Sequence, residues 1–238
     1  MRQAVNGQAR GAIFDLDGTL ADTAADLMAA ANAMLGPRGL PLLEPARDRV
    51  YAGRGGRSMI RRSLSLLPEA LPEPEVAALA DALYPGLLRC YEARLAEETR
   101  LYDGVVPCLE LLAADGWRLG VCTNKPVGLA LALLERLGVR ERFAAVLGAG
   151  SLPVIKPDPE HLRETVRRAG AALGRSVMLG DTRADLLAAR GAGMPCVLMR
   201  FGFAAEPLDE LAPDAVIDHY DEVAPLLERL CPRPAETA

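Results

Sequence analysis

Ala12-Ile13-Phe14-Asp15-Leu16-Asp17-Gly18-Thr19-Leu20-Ala21-Asp22-Thr23 is the stretch from which the fold is read. A short apolar run, Ala12 to Phe14, ends in a carboxylate, and a second carboxylate follows two residues later. Such a run reads as a buried strand. Gly18 and Thr19 end it, and a helix is expected from about Thr23. Residues i and i+2 of a strand point the same way, so Asp15 and Asp17 are expected to face one site. Acids at the carboxyl end of a strand lie where open α/β sheets bind ligands. Two close carboxylates repel unless a cation or a shared proton lies between them, and a divalent metal removes that cost directly. Aspartate is also a covalent nucleophile in phosphoryl transfer. The plainer reading is a strand end whose acids cap a turn and the next helix.

Outward from this stretch, Asp22 to Leu35 has helical apolar spacing, and Gly36-Pro37 ends it. Residues 37 to 100 contain no convincing buried strand. Val50 to Leu67 carries the turn Gly53-Arg54-Gly55-Gly56-Arg57 and then helical spacing. Glu75 to Ala96 is helical again, with a disturbance expected at Pro85-Gly86. From Val106 the pattern alternates. Helices are expected at Val106 to Ala114, after Lys125-Pro126 to Leu137, Pro157 to Ala169, Ala184 to Ala192 and Asp221 to Leu230. Strands are expected at Trp117 to Cys122, Phe143 to Leu147, Ser176 to Leu179, Pro195 to Met199 and Ala215 to Ile217. Short connections between strand and helix mean a parallel sheet covered on both faces. The expected organisation is an α/β core from residues 11–22 and 99–230, a helical insert over 23–98, and flexible tails at 1–10 and 231–238.

Bulk properties narrow the function classes. The chain has 238 residues and a net charge of −5, with no long basic run, which argues against nucleic acid as a partner. No stretch approaches the roughly 20 apolar residues of a membrane span. Met1 to Arg10 lacks a signal-peptide core. The five cysteines are widely spaced without a C-x-x-C pair, so Cys122 and Cys196 read as small core residues in a reduced, cytoplasmic setting. Of 27 basic residues only Lys125 and Lys156 are lysines. An arginine-favouring genome explains the bias, but arginine does not replace lysine as a compact point charge.

The better strands end in polar residues, Asp15, Thr123 and Asp181, and in a parallel sheet such ends share one edge. Thr123, Asn124 and Lys125 present donors that suit an anion at a helix N-terminus, or Thr123 and Asn124 simply cap that helix. Lys156 is an exposed loop charge or a fixed cation between aspartates and phosphate. Asp181 and Asp185 complement a helix dipole or supply the oxygen ligands magnesium prefers.

In this order, Asp15-Leu16-Asp17-Gly18-Thr19, Thr123-Asn124-Lys125, Lys156-Pro157-Asp158-Pro159 and Gly180-Asp181 with Asp185 resemble the four signatures of the haloacid dehalogenase-like hydrolase superfamily. The resemblance spans Gly11 to Met199. It implies a Rossmann-like parallel core with a small all-helical cap, and the Val50-to-Leu67 stretch resembles the cap of bacterial phosphoglycolate phosphatases. By that resemblance Asp15 is the nucleophile and Asp17 the general acid and base. Mg²⁺ is held by Asp15, the backbone carbonyl of Asp17 and Asp181, with Asp185 a further ligand through water or an orienting residue. Thr123 and Asn124 bind the transferring phosphoryl group, and Lys156 fixes it together with Asp15. Arg54 and Arg57 either meet a substrate carboxylate through their bidentate forks or are solvated turn residues. The implied substrate is a small phosphate ester, 2-phosphoglycolate first, with pyrophosphate, a nucleoside monophosphate or a sugar phosphate as alternatives.

Asp17 argues against the dehalogenase branch, which resembles this motif but lacks the second acid. The insert contains no lysine for a Schiff base, which argues against phosphonate cleavage. Leu27 stands near the histidine position of the phosphomutase branch, which argues against that chemistry. With both Asp15 and Asp17 present, a purely binding role is disfavoured.

Overall fold

Gly11–Phe14 forms strand β1, with every residue buried, as an uninterrupted apolar run in a doubly covered sheet should be. The computed structural model describes residues 9–204 and 207–233. After β1 come β2 (Ala21–Asp22), α1 (Ala24–Leu35), α2 (Pro45–Asp48), α3 (Gly56–Leu64), α4 (Glu73–Ala93) and β3 (Arg100–Leu101). The chain continues through α5 (Val105–Ala114), β4 (Arg118–Pro126), α6 (Val127–Arg136), β5 (Ala145–Ala149) and α7 (Pro159–Ala169). It ends with β6 (Ser176–Gly180), α8 (Arg183–Ala192), β7 (Cys196–Met199), β8 (Ala215–Ile217) and α9 (Val223–Leu230). Among the described residues, Ala21–Arg100 forms one compact unit, and the residues before and after it form the other.

The α/β unit is built on a six-stranded sheet in the order β5-β4-β1-β6-β7-β8, with neighbouring strands parallel. Phe14 is in register with Val121 on one side and Leu179 on the other. The Asp15 N–H donates to the Leu179 carbonyl at 2.8 Å, which carries the ladder one residue further. The carboxyl ends of β1, β4 and β6 therefore share one edge. Ile13, Cys122, Met178 and Leu198 lie in one apolar cluster with Leu162 and Val166 of α7 and Leu186 of α8. Cys122 and Cys196 are buried free thiols, as the sequence implies.

The helical unit packs α1, α3 and α4 against one another. Met28, Met34, Met59, Ile60, Leu87 and Tyr91 are buried there. β2 pairs with β3 as a two-stranded ribbon, which leaves no trace in the sequence because two-residue strands carry no periodicity. Helix α4 runs unbroken through Pro85. Packing on α1 and α3 offsets the N–H that proline lacks, the reason a disturbance is expected at that position.

Several boundaries differ from expectation, among them β5, which is Ala145–Ala149 and not Phe143 to Leu147, and the helical unit, which is Ala21–Arg100 and not 23–98. Strand β4 continues through Thr123-Asn124-Lys125 to Pro126, with a register shift against β5 between Cys122 and Pro126. Helix α7 starts at Pro159, not Pro157, because Asp158 takes the N-cap position and accepts the Glu160 N–H. Parts of the expected tails are ordered. Arg10 is buried, paired with Glu228 and Asp115, and lies 4.4 Å over the Trp117 ring, and Cys231 is buried too. Residues 1–8 and 234–238 lie outside the described residues. No helix among the described residues is long and apolar enough to cross a membrane.

Candidate active site

Asp15 sits one residue beyond β1, buried at the shared edge. Its Oδ1 accepts the N–H of Leu16 at 2.7 Å and lies 3.0 Å from Lys156 Nζ. Lys156 also donates to Asp185 Oδ1 at 2.5 Å. Burial pushes the Asp15 carboxyl up to about 6; Lys156 opposes this, and the charges of Asp185 and Asp17 add to it. Burial alone would discharge Lys156, but Asp15 and Asp185 outweigh it and hold the ammonium charged, above the ordinary lysine range. The loop-charge reading of Lys156 is thereby excluded, since its side chain is 2% exposed.

Asp181 follows β6 and is fully buried. Its Oδ1 accepts the Thr19 hydroxyl at 3.0 Å, and its Oδ2 accepts the Phe203 N–H at 2.7 Å. Burial, then the charges of Asp185 and Asp15, push its carboxyl well above the usual range, against those two hydrogen bonds. Thr19 and Phe203 are positioning groups that the sequence analysis did not single out. Thr19 is part of the first motif, but its type does not announce a bond to Asp181, and a backbone N–H such as that of Phe203 leaves no residue-type signal. The fit is close: a Cβ on Gly18, whose φ is +82°, would lie 2.3 Å from Asp181 Oδ2. Asp185 completes the group. Its Oδ2 accepts the Thr182 N–H and hydroxyl at 3.0 and 2.8 Å, and its Oδ1 takes Lys156. Asp185 thus forms a capping box with Thr182 at the start of α8 and also pairs with Lys156.

Thr123 is buried, and its Oγ1 accepts the Lys125 N–H at 3.2 Å. Asn124 is exposed and donates to the Lys156 carbonyl at 2.8 Å, tying the end of β4 to the loop before α7. Thr123, Asn124 and Lys125 do not open a helix. α6 begins at Val127 with Pro126 as its N-cap, because the register shift keeps the chain extended through the motif. The Asp17 carboxylate is not in the cluster of Asp15, Asp181 and Asp185 and accepts from Lys125 Nζ at 2.8 Å. Arg54 and Arg57 belong to the helical unit, where both are exposed. Arg57 pairs with Asp81 at 2.5 Å and lies 3.9 Å over the Tyr84 ring, and Arg54 lies 6.0 Å over the Tyr51 ring.

Three carboxylates, Asp15, Asp181 and Asp185, present oxygens within 4.8 Å of one another, all buried. One lysine faces them, and burial first, then the neighbouring carboxylates, raise Asp15 and Asp181. An oxygen-rich, buried, undercompensated set fits a hard divalent cation such as Mg²⁺. The Asp17 side chain is not part of this set.

Residues 12–199 match the family model of the haloacid dehalogenase-like hydrolases. The chain is 40% identical over 228 residues to a phosphoglycolate phosphatase of Agrobacterium fabrum, covering 95% of this chain and 96% of that one. It is 40% identical over 224 residues to a phosphoglycolate phosphatase of Caulobacter vibrioides, covering 93% of each. A predicted phosphoglycolate phosphatase from Haemophilus somnus 129pt has the same fold, with a TM-score of 0.81 at 28% identity over 92% of this chain and 98% of that one. CbbY from Rhodobacter sphaeroides, solved in complex with phosphate, gives a TM-score of 0.73 at 25% identity over 91% and 97%. The chain thus belongs to the haloacid dehalogenase-like hydrolases and is a phosphoric monoester hydrolase of that family.

Proposed function

We propose that this phosphatase hydrolyses 2-phosphoglycolate to glycolate and phosphate through an aspartyl-phosphate on Asp15, with Mg²⁺ as cofactor. The observation that carries the reading is the buried set of Asp15, Asp181, Asp185 and Lys156 at one sheet edge, in a chain whose relatives at 40% identity are phosphoglycolate phosphatases. Asp15, Asp181 and the Asp17 carbonyl would hold the cation, with Asp185 orienting Lys156. A bound cation would keep the buried carboxylates ionised and offset charge on the phosphoryl oxygens.

The residues of this chain divide the remaining work. Oδ1 of Asp15 is held by Leu16 and Lys156, so Oδ2 is the oxygen that attacks phosphorus. Asp17 gives its proton to the leaving glycolate oxygen as the P–O bond breaks. It then takes a proton from the water that attacks the acyl phosphate, which frees Asp15 and phosphate. Lys156 and the Thr123 hydroxyl bear on the transferring phosphoryl group.

Phosphate release from 2-phosphoglycolate, pyrophosphate, nucleoside monophosphates and hexose phosphates, each with Mg²⁺ and again with EDTA, tests this. EDTA-sensitive selectivity for 2-phosphoglycolate is expected. Preference for another ester would replace the substrate and leave the chemistry, while release insensitive to EDTA would overturn the metal.

A further inference from the structure

The two lysines of the chain are both buried in the α/β unit, although the other 25 of its 27 basic residues are arginines. Lys156 has its task between Asp15 and Asp185. Lys125 is the unexplained one. Its side chain is 3% exposed, and its Nζ donates to Asp17 Oδ1 at 2.8 Å. The feature that delivers it is the extension of β4 past its register shift, which carries residue 125 beyond the regular ladder. The backbone there is fixed from two sides: Thr123 Oγ1 accepts the Lys125 N–H, and the Lys125 carbonyl lies against Gly148, where a Cβ would come within 2.4 Å of it. A compact ammonium suits such a place better than a planar guanidinium, which needs room for its fork.

We infer that Lys125 is a positioning residue that holds Asp17 as proton donor to the leaving oxygen. The inference rests on the proton-donor reading of Asp17 above. By taking Oδ1, the ammonium assigns the travelling proton to Oδ2. As the P–O bond breaks, its electron pair stays on the leaving oxygen, the Oδ2 proton moves to that oxygen, and the negative charge left on Asp17 faces Lys125. In the second half the proton from water returns to Oδ2. Lys125 itself gains and loses no proton. Its contribution therefore scales with how much the leaving group needs protonation: large for an alkoxide, small for a stable phenolate.

The test is rapid-quench measurement of leaving-group release in the first turnover, with 2-phosphoglycolate and with p-nitrophenyl phosphate. Wild type, Lys125→Met, Asp17→Asn and the double variant are compared, and thermal unfolding checks each fold. Lys125→Met is expected to slow glycolate release by about 10²-fold, within the range of general-acid catalysis. Nitrophenolate release should change by less than about fivefold. In the Asp17→Asn background, Lys125→Met should add almost nothing, since residues acting as a unit are not additive. Equal slowing of both esters by Lys125→Met, or a full additional loss in the double variant, would overturn the inference even if the variant is less stable. If Asp17→Asn itself slows both esters equally, the proton-donor reading falls and takes the inference with it. If Asp17→Asn discriminates between the esters and Lys125→Met does not, the inference alone falls.

Discussion

Asp26 and Asp48 in the helical unit are buried as completely as Asp181 and Asp185 in the α/β unit, all four at 0% exposure, yet the two pairs are handled in opposite ways. Asp26 accepts the N–H groups of Glu98 and Thr99 and the Thr99 hydroxyl, which closes the two ends of its unit together. Asp48 is gripped by Arg47 and Arg62 and by the Glu44 N–H, and the Arg47 fork first of all holds its carboxyl well below the usual range. In the α/β unit the acids face each other across one lysine, and Asp15 and Asp181 are pushed up instead. Burial of a carboxylate is therefore not the mark of a site. The mark is burial left undercompensated, where like charges converge on a place that favours a cation.

Substitutions should separate the two kinds of acid. Asp15→Asn is expected to lower turnover by at least about 10³-fold while leaving the metal-free fold as stable or more so. Phosphate release and thermal unfolding in EDTA would read both halves, and a loss of stability would contradict the strained-cluster reading. Asp26→Ala should do the reverse. It strands two N–H groups and a hydroxyl at a cost of roughly 2–4 kcal/mol, seen as a lower denaturation midpoint, with no direct effect on chemistry.

The pH dependence sharpens the same contrast. A carboxyl raised to about 6 binds its proton more tightly folded than unfolded. In EDTA, stability should fall as pH rises from about 4 to 6, by roughly 2–3 kcal/mol for Asp15 alone. Asp15→Asn should flatten that fall, as should saturating Mg²⁺. Mg²⁺ near 100 times its dissociation constant should stabilise wild type by about 2.7 kcal/mol and Asp181→Asn far less. Asp48 has the opposite sign. Its carboxyl is depressed in the fold, so its stabilisation is present above the unfolded value near about 3.9 and is lost as pH falls toward its folded value. Asp48→Asn should cost roughly 1–2 kcal/mol at neutral pH, and the gap to wild type should close in acid.

How much of this could be read beforehand differs by residue. The strand before Asp15 was legible because consecutive buried residues leave an unbroken apolar run, and β6 and the apolar part of β4 up to Cys122 were legible for the same reason. Lys156 was visible as one of two lysines, but its burial was not, since surrounding prolines and aspartate look like surface loop. The helix after Pro126 was placed correctly, but the extension of β4 through Thr123 to Lys125 was not seen, because cap residues and strand-end residues are the same residue types. Phe203 escaped altogether: its contribution is a backbone N–H brought back to Asp181 by the chain beyond β7, and only the tertiary path reveals it. The partners of Arg57 were equally invisible, since Asp81 and Tyr84 lie a full helix away in sequence.

The burial of both lysines has a consequence for chemical probing. The chain's two lysines are both buried, so an amine-reactive ester finds no lysine to modify while the α/β unit stays closed. Acylation of Lys125 and Lys156 then waits on opening of that unit, and its rate becomes a clock for local unfolding at the sheet edge. Mass spectrometry of the two acylated peptides would read that clock separately on the β4 side and on the loop before α7. Mg²⁺ or phosphate should slow both hands together if they secure the same edge.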